Sequence, residues 1–189
     1  MESMLTPLNQ ELYVLKKFVA TKATTLRAKH YGKGGFTFSK SSTEASAEVV
    51  FIVDSRQSML APRRIIRNAA GEAVLDLWRE LKGDESYVSR PNSSSPPLAI
   101  IAPRITILKD KLDLLYVKNH KQADEETKLE IRGQDIWKRN ISVYLGNDLA
   151  MQIRFVNYVT SYVPFVSNQW DVSVSGEFDL SLVSNSRMS

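Results

Sequence analysis

Arg64-Ile65-Ile66-Arg67-Asn68-Ala69-Ala70-Gly71-Glu72-Ala73-Val74-Leu75-Asp76-Leu77-Trp78-Arg79-Glu80 reads as two strands joined by a tight turn. The turn cluster Asn68–Gly71 supplies residues that tolerate positive φ, which short hairpins require. A second stretch, Trp137–Phe155, repeats the arrangement around Gly146-Asn147-Asp148. In it Trp137, Arg139, Ile141, Val143 and Leu145 alternate with Lys138, Asn140, Ser142 and Tyr144. Leu149, Met151, Ile153 and Phe155 then alternate with Ala150, Gln152 and Arg154. A period of two places apolar side chains on one face and polar ones on the other, as a one-sided buried antiparallel sheet requires.

The same pattern extends along most of the chain. Strands are expected at Thr24–Lys29, Phe36–Ser39, Val49–Val53, Leu98–Ile101, Arg104–Leu108, Leu112–Lys118, Lys128–Arg132 and Trp170–Val174. Pro103 is expected at a sheet edge or bend. Asp84–Pro97, rich in serine and proline, reads as a mobile connection. About ten to twelve short strands result, the spacing of barrels and sandwiches. Residues 1–23 form an arm whose conformation the pattern leaves open. Leu8, Leu12, Leu15 and Val19 suit a helical stripe, whereas Leu12, Val14, Lys16 and Phe18 suit a strand period. Residues 24–189 form the single domain.

Composition narrows the functional classes. With 189 residues, 43% of them hydrophobic, the chain can bury a sizeable core. It has no cysteine, which excludes disulfides, thiolate nucleophiles and cysteine-ligated zinc. No apolar run reaches membrane-spanning length, and Met1–Thr21 lacks the basic start and apolar stretch of a signal peptide. A cytoplasmic location is expected, with a peripheral position at the plasma membrane or a nuclear one as variants. The net charge of +4 is a mild basic bias. The two histidines, His30 and His120, are isolated and read as solvated loop residues. Gly32-Lys33-Gly34-Gly35 lacks the ending of a phosphate-binding loop and reads as a hairpin turn. No nucleophile elbow and no metal-ligand spacing is present. The chain is therefore expected not to be an enzyme and to need no cofactor.

Taken in order, several segments resemble one family. They are Gly34-Gly35-Phe36-Thr37-Phe38, Val50-Phe51-Ile52-Val53-Asp54, the Asn68–Glu80 hairpin, Asn140-Ile141-Ser142-Val143 and Trp170-Asp171-Val172-Ser173-Val174. Over roughly Thr24 to Leu182 the series resembles the LURP-one-related family, itself similar to tubby C-terminal domains and the phospholipid scramblases. The resemblance implies an all-β fold with one or two short helices: a closed antiparallel β-barrel of about twelve strands around a C-terminal hydrophobic helix. Here that helix is shortened to Phe178, Leu180, Leu182 and Val183. A barrel this wide must be filled. A cavity, the 6–20 segment or a partner chain is expected to occupy the remaining space.

Two functions stand as expectations. The first is a non-catalytic binding or scaffold module that meets a phosphoinositide, an anionic membrane surface or a protein partner. Its headgroup patch is expected at Arg63, Arg64, Arg67, Lys138 and Arg139, provided their strands are adjacent. Arg63 and Arg67 share one strand face and Arg64 the other. The second is an intracellular carrier of a small apolar ligand in the barrel interior. Nucleic-acid binding is not favoured, because the basic residues are scattered and not interleaved with aromatics. Oligomeric state is left open.

Overall fold

The computed structural model describes residues 5–8, 12–31, 35–40, 47–56, 63–79, 85–104, 112–118, 126–133, 140–156 and 168–185. They form twelve strands. In order these are β1 Thr24–Tyr31, β2 Gly35–Lys40, β3 Val49–Arg56, β4 Arg63–Asn68, β5 Ala73–Arg79 and β6 Ser86–Ser89, and then β7 Ala99–Arg104, β8 Leu112–Lys118, β9 Glu126–Gly133, β10 Asn140–Leu145, β11 Asp148–Phe155 and β12 Gln169–Val174. Each strand runs antiparallel to its neighbours in sequence, and β1 pairs with both β2 and β12, so the strands succeed one another in a ring. An all-β, antiparallel architecture with almost no helix is what the alternation leads one to expect.

Both hairpin turns are built as their residues require. Gly146 has φ +60° and bridges Leu145 to Asp148, its positive angle at the first central position suiting a type II′ hairpin. In the β4–β5 turn Gly71 has φ +83°, and its N–H donates to the Asn68 carbonyl at 2.9 Å. Asn68 holds the turn from its side chain as well: Oδ1 accepts from the Glu72 N–H at 3.0 Å, and Nδ2 donates to Glu72 Oε2 at 2.7 Å.

Two expectations change and a third is met in part. The 84–97 connection contains a strand, since Ser86–Ser89 pairs with both β5 and β7. Pro103 lies within β7, opposite Asp113 of β8 and past the last β6 pair at Ile101, so it holds the edge position expected of it without ending the strand. Residues 105–108 of the second strand expected there lie outside the described residues. Over its described residues, 6–8 and 12–20, the 6–20 segment is neither the long helix nor the strand that its two periods suggested. These residues contain a 3-10 turn at Lys16–Phe18 and two isolated bridges, Leu12 to Phe178 and Val19 to Asp179.

Those bridges identify the material that fills the ring. Leu8, Leu12, Val14 and Ala20 are buried in one cluster with Phe178, Leu180, Leu182, Val183 and inward strand residues such as Leu26, Phe51 and Leu75. Leu12, Phe178 and Leu182 have no exposed surface, and Phe18 packs edge-on against Phe51 with ring centroids 4.9 Å apart. Irregular backbone at such a depth must find hydrogen-bond partners. Here the two segments satisfy one another. Leu12 N–H donates to the Glu177 carbonyl (3.0 Å), Asp179 N–H to the Leu12 carbonyl (3.0 Å), Ala20 N–H to the Phe178 carbonyl (3.0 Å) and Glu177 N–H to the Ala20 carbonyl (2.7 Å).

Asp179 completes the arrangement. Its Oδ2 accepts from the Val14 and Leu15 N–H groups at 2.8 and 2.5 Å, and its Oδ1 accepts from the Ser181 N–H at 2.7 Å. The last of these caps a 3-10 helix, Leu180–Asn185, in place of the α-helix expected there. Burial pushes the Asp179 carboxyl above its ordinary range, against the opposing pull of these donors.

This core can be tested at two residues. Leu182→Asp places a carboxylate where no surface is exposed and should abolish cooperative urea unfolding or cost several kcal/mol. A variant as stable as the parent would show that the 180–185 segment is not part of the core. For Asp179 the sign runs as burial dictates. The unfolded chain loses this proton near pH 4, earlier than the folded one, so the contribution of Asp179 is greatest below about pH 4 and falls as pH rises toward the folded value. Asp179→Asn loses an acceptor, at roughly 1–3 kcal/mol, and removes that slope. The stability gap between parent and variant, measured by urea midpoints across pH, should therefore narrow as pH rises. A gap that widens would mean that the three N–H donors outweigh burial.

Candidate functional site

The outer wall carries a cleft of about 680 Å³ bounded by β4, β5, β6 and the loop over residues 90–97. Its floor is set by cross-strand register. Ile65 faces Asp76, Arg63 faces Trp78, and Asp76 faces Ser89 across the next ladder. Paired residues share a face. Because Ile66 and Leu75 are paired and fully buried in the core, Arg63, Asp76, Trp78 and Ser89 point outward.

Asp76 is nonetheless almost fully covered. Its side chain keeps 6% of its exposure, against 46% for that of Arg63, which grips it. Arg63 Nε donates to both carboxylate oxygens at 2.8 Å, and Nη2 donates to Oδ2 as well. The forked contact raises the Arg63 pKa, first through the hydrogen bond and then through charge. Trp78 forms the next part of the wall. Its ring stacks on Tyr87 with centroids 4.6 Å apart, and its Nε1 donates to Ser89 Oγ at 3.4 Å.

The loop closes the remaining side. After β6 the chain turns at Arg90, whose carbonyl accepts from the Ser93 N–H at 3.3 Å, and Asn92 takes a left-handed φ of +55°. Asn is among the few residues other than glycine that adopt this conformation readily. Ser95 N–H donates to Ser93 Oγ at 3.1 Å, and Leu98 N–H returns the chain to Val88 at 2.7 Å. Arg90, Asn92, Ser93, Ser94, Ser95 and Pro97 thus line the cleft beside Arg63. Arg90 is exposed and makes no ion pair among the described residues. The cleft presents two guanidiniums against one carboxylate, several hydroxyls and an indole, with no histidine. That set suits binding of an anion, and it supplies no nucleophile–base pair.

The described members of the patch expected from the sequence, Arg63, Arg64 and Arg67, do not share one surface. Arg63 lies in the cleft, while Arg67 is further along the outer face, where its Nε donates to Asp54 at 2.8 Å. Arg64 pairs with Leu77 and so takes the inward face, where burial lowers its pKa. Lys138 and Arg139 lie outside the described residues. The nearest described strand, β10 from Asn140, is six places from β4 in either direction around the ring. Phe178, Leu180, Leu182 and Val183 are buried in the core. His30 is not a loop residue: it is part of β1 and packs against Phe36, with centroids 5.1 Å apart, while His120 and Trp137 lie outside the described residues. Among the described residues no group of three or more potential ligands could hold a metal ion.

Sequence reasoning missed Arg90, Asp76 and Trp78 as neighbours of Arg63. The signal was available in part. The period of two puts Arg63, Asp76 and Trp78 on the outward face, but only the fold of 90–97 adds Arg90.

Comparison with known proteins agrees with this architecture. A crystal structure of an Arabidopsis thaliana protein superposes with a TM-score of 0.64, covering 93% of each chain at 17% identity. At that identity the likeness speaks for the fold alone. No curated protein matches the chain. The family model described as LURP-one-related matches residues 22–184. A match over that much of the sequence, on strands in the order described, assigns the chain to the LURP-one-related family.

Proposed function

We propose that the protein is a non-catalytic binding module that takes an anionic phospholipid headgroup in the outer cleft. The observation that carries this reading is Arg90, a guanidinium with no ion pair among the described residues, set beside an Arg63 already held in place by the covered Asp76. A phosphate entering the cleft meets one cation whose geometry is fixed and one that is available. Serine hydroxyls stand at hand for the remaining oxygens. Trp78 offers the amphipathic ring that suits a membrane interface. On this reading the protein is intracellular and peripheral at an anionic membrane face, a role that needs no spanning segment. No helix among the described residues is long and apolar enough to cross a membrane.

The carrier reading draws less support. It needs space along the axis, and Leu12, Phe178 and Leu182 sit there without exposed surface.

Co-sedimentation with phosphatidylcholine vesicles, with and without a phosphatidylinositol phosphate, tests the headgroup reading. Binding should require the phosphoinositide and fall as salt rises, because the contact is largely exposed and charge-driven. Arg90→Ala should weaken it by about tenfold, the worth of one charge-assisted hydrogen bond of roughly 1.5 kcal/mol. Lys29→Ala, an exposed cation on β1 and so well removed around the ring, is the charge-matched control and should bind like the parent. Equal weakening by both variants would reduce the effect to general charge, and undiminished binding by Arg90→Ala would remove the cleft from the function.

A further inference from the structure

The loop that closes the cleft contains Ser95-Pro96-Pro97. Ser93, Ser94 and Ser95 are all exposed, and all three line the cleft with Arg63 and Arg90. Ser95 differs from the other two in having a proline as its next residue. Pro96 disfavours the helical region for Ser95. The chain bends at Ser95, whose N–H folds back on Ser93 Oγ at 3.1 Å, and its hydroxyl-bearing side chain is exposed on that bend. The missing N–H of Pro96 also leaves no backbone donor on the residue after the acceptor. A serine of this kind is commonly a solvated loop residue. Here it shares a cavity with two arginines, one of which has no ion pair among the described residues.

We infer that Ser95 is a phosphorylation site for a proline-directed protein kinase, and that its phosphate docks on Arg90 and Arg63 within the same cleft. In the modifying step Ser95 Oγ attacks the γ-phosphorus of the kinase's nucleoside triphosphate. The Oγ–P bond forms as the bond from phosphorus to the β-phosphate oxygen breaks. The nucleoside diphosphate leaves, and the hydroxyl proton passes to the kinase's base. The product carries about −1.5 to −2 charges and three acceptor oxygens at neutral pH. A phosphate set opposite an arginine cluster gains charge-assisted hydrogen bonds. The excess positive charge of the cleft is then cancelled from within. This regulatory consequence rests on the headgroup reading, since a docked phosphoserine excludes a second phosphate from the same guanidiniums. The modification and its docking stand apart from that reading.

The geometry of the loop favours docking over a free phosphate. Pro91, Pro96 and Pro97 restrict its backbone, the Ser93–Arg90 and Leu98–Val88 hydrogen bonds hold its two ends, and the Ser95–Ser93 bond holds its middle. Little conformational freedom remains to be lost when the phosphate engages Arg90.

The experiment treats the full chain with proline-directed kinases and ATP, maps the site by tandem mass spectrometry and tracks the phosphate by phosphorus NMR across pH. Incorporation at Ser95 is expected, abolished by Ser95→Ala and by Pro96→Ala. The phosphate should titrate below the ~6 of a solvated phosphomonoester and return toward it in Arg90→Gln. Modification at Ser93 or Ser94 instead, or none in the folded chain, would overturn the site. A phosphate that titrates near ~6 in both parent and Arg90→Gln would overturn the docking. Vesicle binding is read in parallel on unmodified and phosphorylated protein, and phosphorylation should abolish it. If the unmodified protein does not bind phosphoinositide vesicles while the titration shift is present, the headgroup reading falls and the phosphosite stands. If the shift is present and the phosphorylated protein binds vesicles as well as the unmodified one, the proposed blocking of the cleft is overturned.

Discussion

The Asp179 carboxylate, buried and holding three backbone N–H groups, is the contact on which the rest of the structure depends. A ring of twelve strands encloses more volume than its own inward side chains can fill. The material that fills it here is irregular chain from two distant parts of the sequence, and irregular chain brings unpaired amides into an apolar space. Leaving one such group unsatisfied costs about 1–3 kcal/mol. One carboxylate at the crossing of residues 12–15 and 178–182 removes that penalty three times over, at the cost of burying a titratable group whose pKa is displaced upward. The apolar contacts of Leu12, Phe178 and Leu182 are then set by where the hydrogen bonds hold the chain.

How far this was legible in the sequence depends on the element. Trp170, Val172 and Val174 alternate with polar residues, and these three are the buried members of β12. A strand with one wet face announces itself in its period. Residues 12–20 serve no repeating face, because different side chains meet different walls of the interior. Their apolar positions therefore fitted two periods equally well and belonged to neither. The strand Ser86–Ser89 was hidden for another reason. Its outward residues pack beneath the 90–97 loop or against Trp78, so no clean alternation marks it. Pro103 follows the rule for proline in sheets, since it pairs with β8 alone, opposite Asp113 and past the end of the β6 ladder.

The candidate site shows the same division. Arg63, Arg64 and Arg67 are clustered in sequence, and a strand scatters them: one to the cleft, one inward and one to Asp54. Charge that is dense along a strand is dilute in space. The outer wall compensates charge across strands, as at Arg27 with Asp171 and at Arg67 with Asp54. Arg90 is distinguished by its position just after a strand, where no cross-strand partner faces it. The residues that matter were thus set by register and by the path of one loop, neither of which composition reveals.

Cleft and core are two faces of one wall. On β5, Leu75 and Leu77 enter the core cluster while Asp76 and Trp78, between and beyond them, build the cleft floor. A shift of this strand by one residue would exchange the two sets, placing a carboxylate and an indole in the core. The register of β4 and β5 is therefore held by the apolar side, and the placement of Arg63 against Asp76 is inherited from it. Binding geometry on the outer surface then draws its rigidity from packing within the ring, including the segments that Asp179 ties together. The 90–97 loop lies outside that register, with its prolines, its left-handed Asn92 and its exposed serines. The loop can change its charge without disturbing the wall, which is the division of labour that a regulated binding surface requires.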